Sequence, residues 1–89
     1  MTKKTPDLEI IIVNFNAQFW LKKTLQTLQE NYLATTQLSV QTTVVDNGSS
    51  DDSLQLLSKE FSWVHTIALP ENKGFAVANN VALAASKAD

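Results

Sequence analysis

Three short apolar runs divide the chain, each followed by a polar cluster and then by apolar residues at helical spacing. Leu8 to Val13 is dominated by β-branched residues and gives way to polar Asn14 and Asn16, which predicts a strand buried on both faces of a parallel sheet. From Gln18 the period changes. Leu21, Leu25, Leu28 and Tyr32 recur on one helical face while Lys22, Lys23, Gln26, Gln29 and Glu30 take the others, so an amphipathic helix follows, with Asn16 placed to cap it.

Leu38 to Val45 alternates, turns fully apolar at Val44-Val45 and ends in Asp46-Asn47-Gly48-Ser49-Ser50, a cluster of turn and cap formers, so it reads as the second strand and its exit loop. Leu54, Leu57 and Phe61 mark a second helix with Ser49 or Ser50 as its cap, Asp51 and Asp52 in its first turn and Lys59 near its end, the charge order that the helix dipole favours. Val64 to Leu69 is the third strand, stopped by Pro70. The loop Glu71-Asn72-Lys73-Gly74 then opens an Ala-rich helix from Phe75 to about Lys87.

Strands alternating with helices imply an α/β fold: a parallel sheet with right-handed crossovers, arranged in three layers as a β-α-β-α-β-α half of a Rossmann-like nucleotide-binding domain. Residues 1–7 read as a tail and 8–89 as one small, incomplete domain, which buries only about 60 to 70% of the surface its unfolded form exposes.

Composition narrows the function classes. With 44% hydrophobic and 18% charged residues the chain is an ordinary globular one. Its net charge is −2 and its basic residues are scattered lysines with no arginine, which argues against a nucleic-acid surface. No cysteine and a single histidine exclude a disulfide framework and the usual zinc ligand sets. The run Ile10 to Val13 is far too short for a signal core or membrane span, so the expected location is cytoplasmic.

In open α/β sheets ligands bind beyond the carboxyl ends of the strands, and here the three strand-to-helix loops hold the unusual residues. Asn14-Phe15-Asn16, Asp46-Asn47-Gly48-Ser49 and Glu71-Asn72-Lys73-Gly74 together offer an aromatic face, a carboxylate beside an amide, a lysine and helix N-termini, which suits a nucleotide. Two glycines, Gly48 and Gly74, cannot make a G-x-G-x-x-G fingerprint, and no G-K-[ST] follows a strand, so dinucleotide oxidoreductases and P-loop enzymes lose weight. A receiver-like or flavodoxin-like domain needs an acidic pocket after strand one or a hydroxyl-rich phosphate loop, and neither is found.

Ile-Ile-Ile-Val-Asn-Phe-Asn at 10–16, Val-Val-Asp-Asn-Gly-Ser-Ser-Asp at 44–51 and Pro-Glu-Asn-Lys-Gly-Phe-Ala-Val-Ala-Asn-Asn at 70–80, in this order, resemble inverting family 2 glycosyltransferases with the GT-A fold, in their rhamnosyltransferase-like branch. The resemblance covers Leu8 to Asp89 and implies a nucleoside-diphosphate sugar, dTDP- or UDP-linked, as the bound partner. It implies that Val13, Asn14 and Phe15, next to Asn16, line the base pocket, with Phe15 either against the pyrimidine or packed in the core. One of Asp46 and Asn47 would accept from the pyrimidine imide N–H, or Asp46 would only shape its turn. Gly74 would let the diphosphate come close to the backbone, Asn79 would make a polar contact, and Lys73 would either do the same or be a solvated surface residue. Ala78 departs from the glycine that many relatives carry. Trp20 and Trp63 read as packing residues, His65 as structural, and Asp51 and Asp52 as dipole-compensating acids rather than metal ligands.

The resemblance further implies Mg²⁺ or Mn²⁺, held by an Asp-x-Asp motif on a fourth strand beyond Asp89, and a later carboxylate that deprotonates the acceptor. The chain has no assigned catalytic residue and no metal ligand, and it is expected to be inactive alone. Strand one would keep an unpaired edge, favouring dimerisation or aggregation. The complete protein would glycosylate a polysaccharide or lipid-linked acceptor at the inner face of the membrane. The alternative is a non-catalytic nucleotide-binding module or an inactive remnant.

Overall fold

The computed structural model describes residues 6–85. Strand β1 (Leu8–Asn14) is followed by α1 (Gln18–Leu28), a π-helical turn (Gln29–Leu33), β2 (Val40–Asn47), α2 (Ser53–Glu60), β3 (His65–Leu69) and α3 (Phe75–Ala85). The expected order β-α-β-α-β-α holds, and all pairings are parallel in the order β1-β2-β3. Lys87 and the rest of the expected last helix lie outside the described residues.

Strand alternation sends successive side chains to opposite faces, which sorts the core into two layers. On one face Val44 meets Leu21 and Leu25 of α1, Leu56 and Leu57 of α2, and Phe61 and Val64, with Ile12 alongside. On the other, Val45 packs with Ala78 and Ala82 of α3, flanked by Ile11, Val13, Ile67 and Leu69. The register Ile12↔Val44 and Val13↔Val45 keeps those sets in phase across the sheet.

Several local expectations are corrected. Full burial belongs to β2, from Thr42 to Asn47, because β2 has a strand on either side; β1 packs on both faces through Ile12 and through Ile11 and Val13, but it is an edge among the described residues and Ile10 to Val13 are only half-buried. In α2 the buried stripe is Ser53, Leu56 and Leu57, at i, i+3 and i+4, and Leu54 faces solvent. The apolar stripe of α1 ends at Leu28, since Tyr32 falls in the wider π-helical turn and is exposed. Trp20 is 66% exposed on α1, edge-on to the equally exposed Phe19, and does not pack in the core. Trp63 does stack edge-on against buried Phe61.

Candidate functional site

Parallel pairing brings the strand ends together. Asn14 lies opposite Asp46, which lies opposite Ala68, and Asn47 lies opposite Leu69, so all three exit loops leave from one edge of the sheet. Each loop carries short polar side chains, and these bond across loops more than within them.

The first and second loops are tied through Asp46, which is 1% exposed. The Asn14 amide donates to its Oδ1 at 3.0 Å, the Ser49 hydroxyl donates to the same oxygen at 2.7 Å, and the Ser49 backbone N–H donates to Oδ2 at 3.0 Å. A buried carboxylate is tolerable when hydrogen-bond donors surround it, and these three supply that need. The Ser49 oxygen also accepts from the Asn16 N–H at 2.9 Å and from the Asn14 amide at 3.3 Å. The turn-shaping role of Asp46 is therefore present in full.

The helix starts are capped crosswise. Asn16, in the left-handed region at φ 49°, does not cap α1; its Oδ1 accepts from the Ser50 N–H at 2.7 Å and the Asp51 N–H at 3.3 Å in the other loop. Asp51 in turn accepts from the Gln18 N–H of α1 at 3.2 Å and from the Ser53 N–H of α2 at 3.0 Å. Neither Ser49 nor Ser50 caps α2, and because α2 begins at Ser53 its first turn holds no acid. Asp51 is thus a bracket between two helices, its carboxylate on the first N–H of each, where the helix dipoles favour an anion. Partial burial pushes its carboxyl up, but the hydrogen bonds from the Ser53 hydroxyl and amide and the Gln18 amide prevail and hold it below the ordinary aspartate value.

The second and third loops are tied through Asn47 and Gly48. Asn47 Oδ1 accepts from the Lys73 N–H at 2.9 Å, and its Nδ2 donates to Asn72 Oδ1 at 3.1 Å and to the Gly74 carbonyl at 3.3 Å. Asn72 Oδ1 also accepts from the Gly74 N–H at 2.8 Å. Gly48 has φ 77°, and a Cβ there would stand 2.5 Å from the Glu71 backbone, so two chain segments touch where only glycine fits. Gly74 also has positive φ, at 88°, yet among the described residues nothing beyond its own stretch of chain lies within 4 Å of where its Cβ would be.

Among the expected site residues, Asn14, Asn16 and Asp46 form one bonded group and Asn47, Lys73 and Gly74 another. Phe15 sits between two members of the first and is 45% exposed, so it is free of the core. The Lys73 side chain is exposed, its Nζ 3.3 Å from Glu71 Oε2. Val13 packs under the edge in the α3-facing core, and half-buried Asn79 lies in the second turn of α3. Ser49, Asp51 and Asn72 were not among the expected residues. The spacings Asp46 to Ser49 and Asn72 to Gly74, short acceptors two or three residues before an N–H, are the signal that marks two of them.

No group of three or more His, Cys, Asp or Glu residues among the described ones could hold a metal ion. The Asp-x-Asp motif that the resemblance implies for the divalent cation is expected beyond Asp89 and is not among these residues.

Residues 9–89 match the model of glycosyl transferase family 2. The chain belongs to that family. This family 2 chain is also similar in fold to a mannosyltransferase from Pyrobaculum calidifontis solved in complex with GDP-Man and Mn²⁺, with a TM-score of 0.69 and 20% identity. The match covers 94% of this chain and 25% of that protein, and at this identity it shows the fold: three parallel strands with helices, as in one half of a GT-A domain. No curated protein sequence matches the chain. No helix among the described residues is long and apolar enough to cross a membrane.

Proposed function

We propose that this chain is the donor-nucleotide-binding part of an inverting, rhamnosyltransferase-like glycosyltransferase that takes a dTDP- or UDP-linked sugar and passes it to a polysaccharide or lipid-linked acceptor in the cytoplasm. The observation that carries the proposal is the convergence of three interlocked exit loops at one sheet edge, with the Phe15 ring and the Lys73 ammonium exposed on them. A flat aromatic face and an exposed ammonium, here beside Glu71, complement a base at one end and a diphosphate at the other. In the complete reaction the acceptor hydroxyl attacks the anomeric carbon as its bond to the diphosphate breaks, and a carboxylate takes the hydroxyl proton. No residue here is assigned that base, so the chain alone binds and does not transfer.

Calorimetric titration of the 89-residue chain with UDP, dTDP, GDP and ADP tests the proposal. Binding of UDP or dTDP in preference to the purine nucleotides is expected, with Phe15→Ala weakening it by about 1 to 3 kcal/mol, the scale of one stacked base. Equal binding of all four would refute a pyrimidine site. The outer edge of β1 from Ile10 to Val13, which has no neighbouring strand among the described residues, is proposed to drive self-association. Sedimentation should show mass rising with concentration, and a monomer throughout would remove that part.

A further inference from the structure

Leu21 and Leu25 turn the inner side of α1 to the core, so its outer side should be polar throughout. It is not. Phe19 is exposed beside Trp20, their rings 5.3 Å apart and edge-on, and Phe15 in the loop before them is exposed as well. Lys23 follows Trp20 by three residues and Phe19 by four, so it shares their side of the helix. Lys22, Lys23 and Gln26 join Phe19 in lining a hollow of about 270 Å³. Lys23 makes no ion pair among the described residues, and the pair of Lys22 with Glu60, at 3.4 Å, lies at the exposed surface and holds the lysine weakly.

Charge decides what covers this face. A second copy would bring the lysines of one chain against those of the other, at a cost in repulsion. A lipid surface offers what the residues need in layers: Phe and Trp rings favour the boundary between headgroups and acyl chains, and ammonium groups favour the phosphates just outside it. We propose that the outer face of α1 docks on an anionic lipid bilayer, with Phe19 and Trp20 entering the headgroup boundary and Lys22 and Lys23 meeting the phosphates. Glu30, in the π-helical turn, carries the opposite charge and confines the contact to the first half of α1. The helix lies on the bilayer and does not cross it, since its inner leucines stay in the core. Its first turn is tied to the second exit loop through Gln18 and Asp51, so the contact holds the candidate site beside the lipid.

The test is cosedimentation of the chain with vesicles of phosphatidylcholine alone and of phosphatidylcholine mixed with phosphatidylglycerol, without nucleotide. Strong binding to the mixed vesicles and weak binding to the neutral ones is expected. Phe19→Ala and Trp20→Ala should each lower partitioning about tenfold, and Lys23→Gln about fivefold. Leu83→Ala, exposed on α3 at the other face of the sheet, should stay within about twofold of the wild type. All four side chains are exposed, so circular dichroism should show each variant folded. In Trp63→Phe the emission comes from Trp20 alone and should move to shorter wavelength on the mixed vesicles. Binding to neither vesicle overturns the proposal and leaves the face to an acidic protein partner. Equal binding to both overturns it too, as does a loss in Leu83→Ala equal to that in Trp20→Ala, or an unshifted Trp20 in chain that pellets. None of these results bears on the nucleotide reading, which is tested without lipid.

Discussion

The two flanks of β2 are built from different material. On one, α1 and α2 bring Leu21, Leu25, Leu56, Leu57, Phe61 and Val64 onto Val44, and their first turns are tied to each other through Asn16 and Asp51. On the other, α3 brings only Ala78 and Ala82 onto Val45, and leaves Phe75, Val77 and Leu83 exposed. Large aliphatic side chains supply most of the burial on the first flank. Alanines let α3 lie close to the sheet, where Ile11, Val13, Ile67 and Leu69 surround them, but each buries little. The larger share of buried aliphatic side chains therefore lies on the α1/α2 flank, while the loop that leads into α3 is fixed by the polar joint at Asn47 and Gly48. Ala78 is fully buried in the contact of α3 with the sheet, so its methyl is accommodated.

The largest effect should come from the first flank. Leu25→Ala removes a fully buried side chain and is expected to cost about 2 to 5 kcal/mol, enough to unfold much of a domain this small, whereas Leu83→Ala on α3, 60% exposed, should stay within about 0.5 kcal/mol. Urea unfolding followed by circular dichroism compares them, and similar losses would abolish the contrast. Next comes the joint. Gly48→Ala combines a positive φ with a clash against the Glu71 backbone and should cost about 2 to 4 kcal/mol, while Gly74→Ala meets only the conformational penalty of about 1 to 2 kcal/mol. A pair of thermal melts that ranked the two glycines the other way would place the joint at the third loop instead.

The smallest effect is conditional on pH. Asp51 has its carboxyl held below the ordinary value, so its ionised form stabilises the fold above the unfolded pKa of about 3.9 and that contribution fades as pH falls through the lower folded value. Asp51→Asn should therefore melt below the wild type at pH 6, and the gap should narrow below about pH 4. A gap independent of pH would mean that geometry alone, without charge, makes the bracket.

Much of this architecture is readable in the sequence because it rests on local period. Leu21 and Leu25 at helical spacing, Val44-Val45 in a short apolar run and Pro70 after it mark α1, β2 and the end of β3 without any partner being known. The convergence of the three exit loops at one sheet edge was readable too, because it follows from parallel pairing. The misreadings share one cause: a short polar side chain before a helix can serve that helix or its neighbour, and only the approach of the second loop decides. Asn16 looks like the cap of α1 and Asp51 like a first-turn acid of α2, yet Asn16 serves the second loop and Asp51 serves both helices. The two glycines look alike in the sequence, and their different surroundings come from where Glu71 passes in space. Exposure of Trp20 is equally invisible to a pattern in which it neighbours Leu21.

The crosswise brackets also bear on how the chain comes into being. The first N–H of α1, at Gln18, finds its acceptor 33 residues later, at Asp51. During synthesis, α1 leaves the ribosome with its leading turn unfinished, and it stays so until the second strand and the loop after it have followed. A mutation that slows closure at Asp51 would thus lengthen the time for which a half-made βα unit shows its leucines to chaperones, even where the finished fold is scarcely less stable.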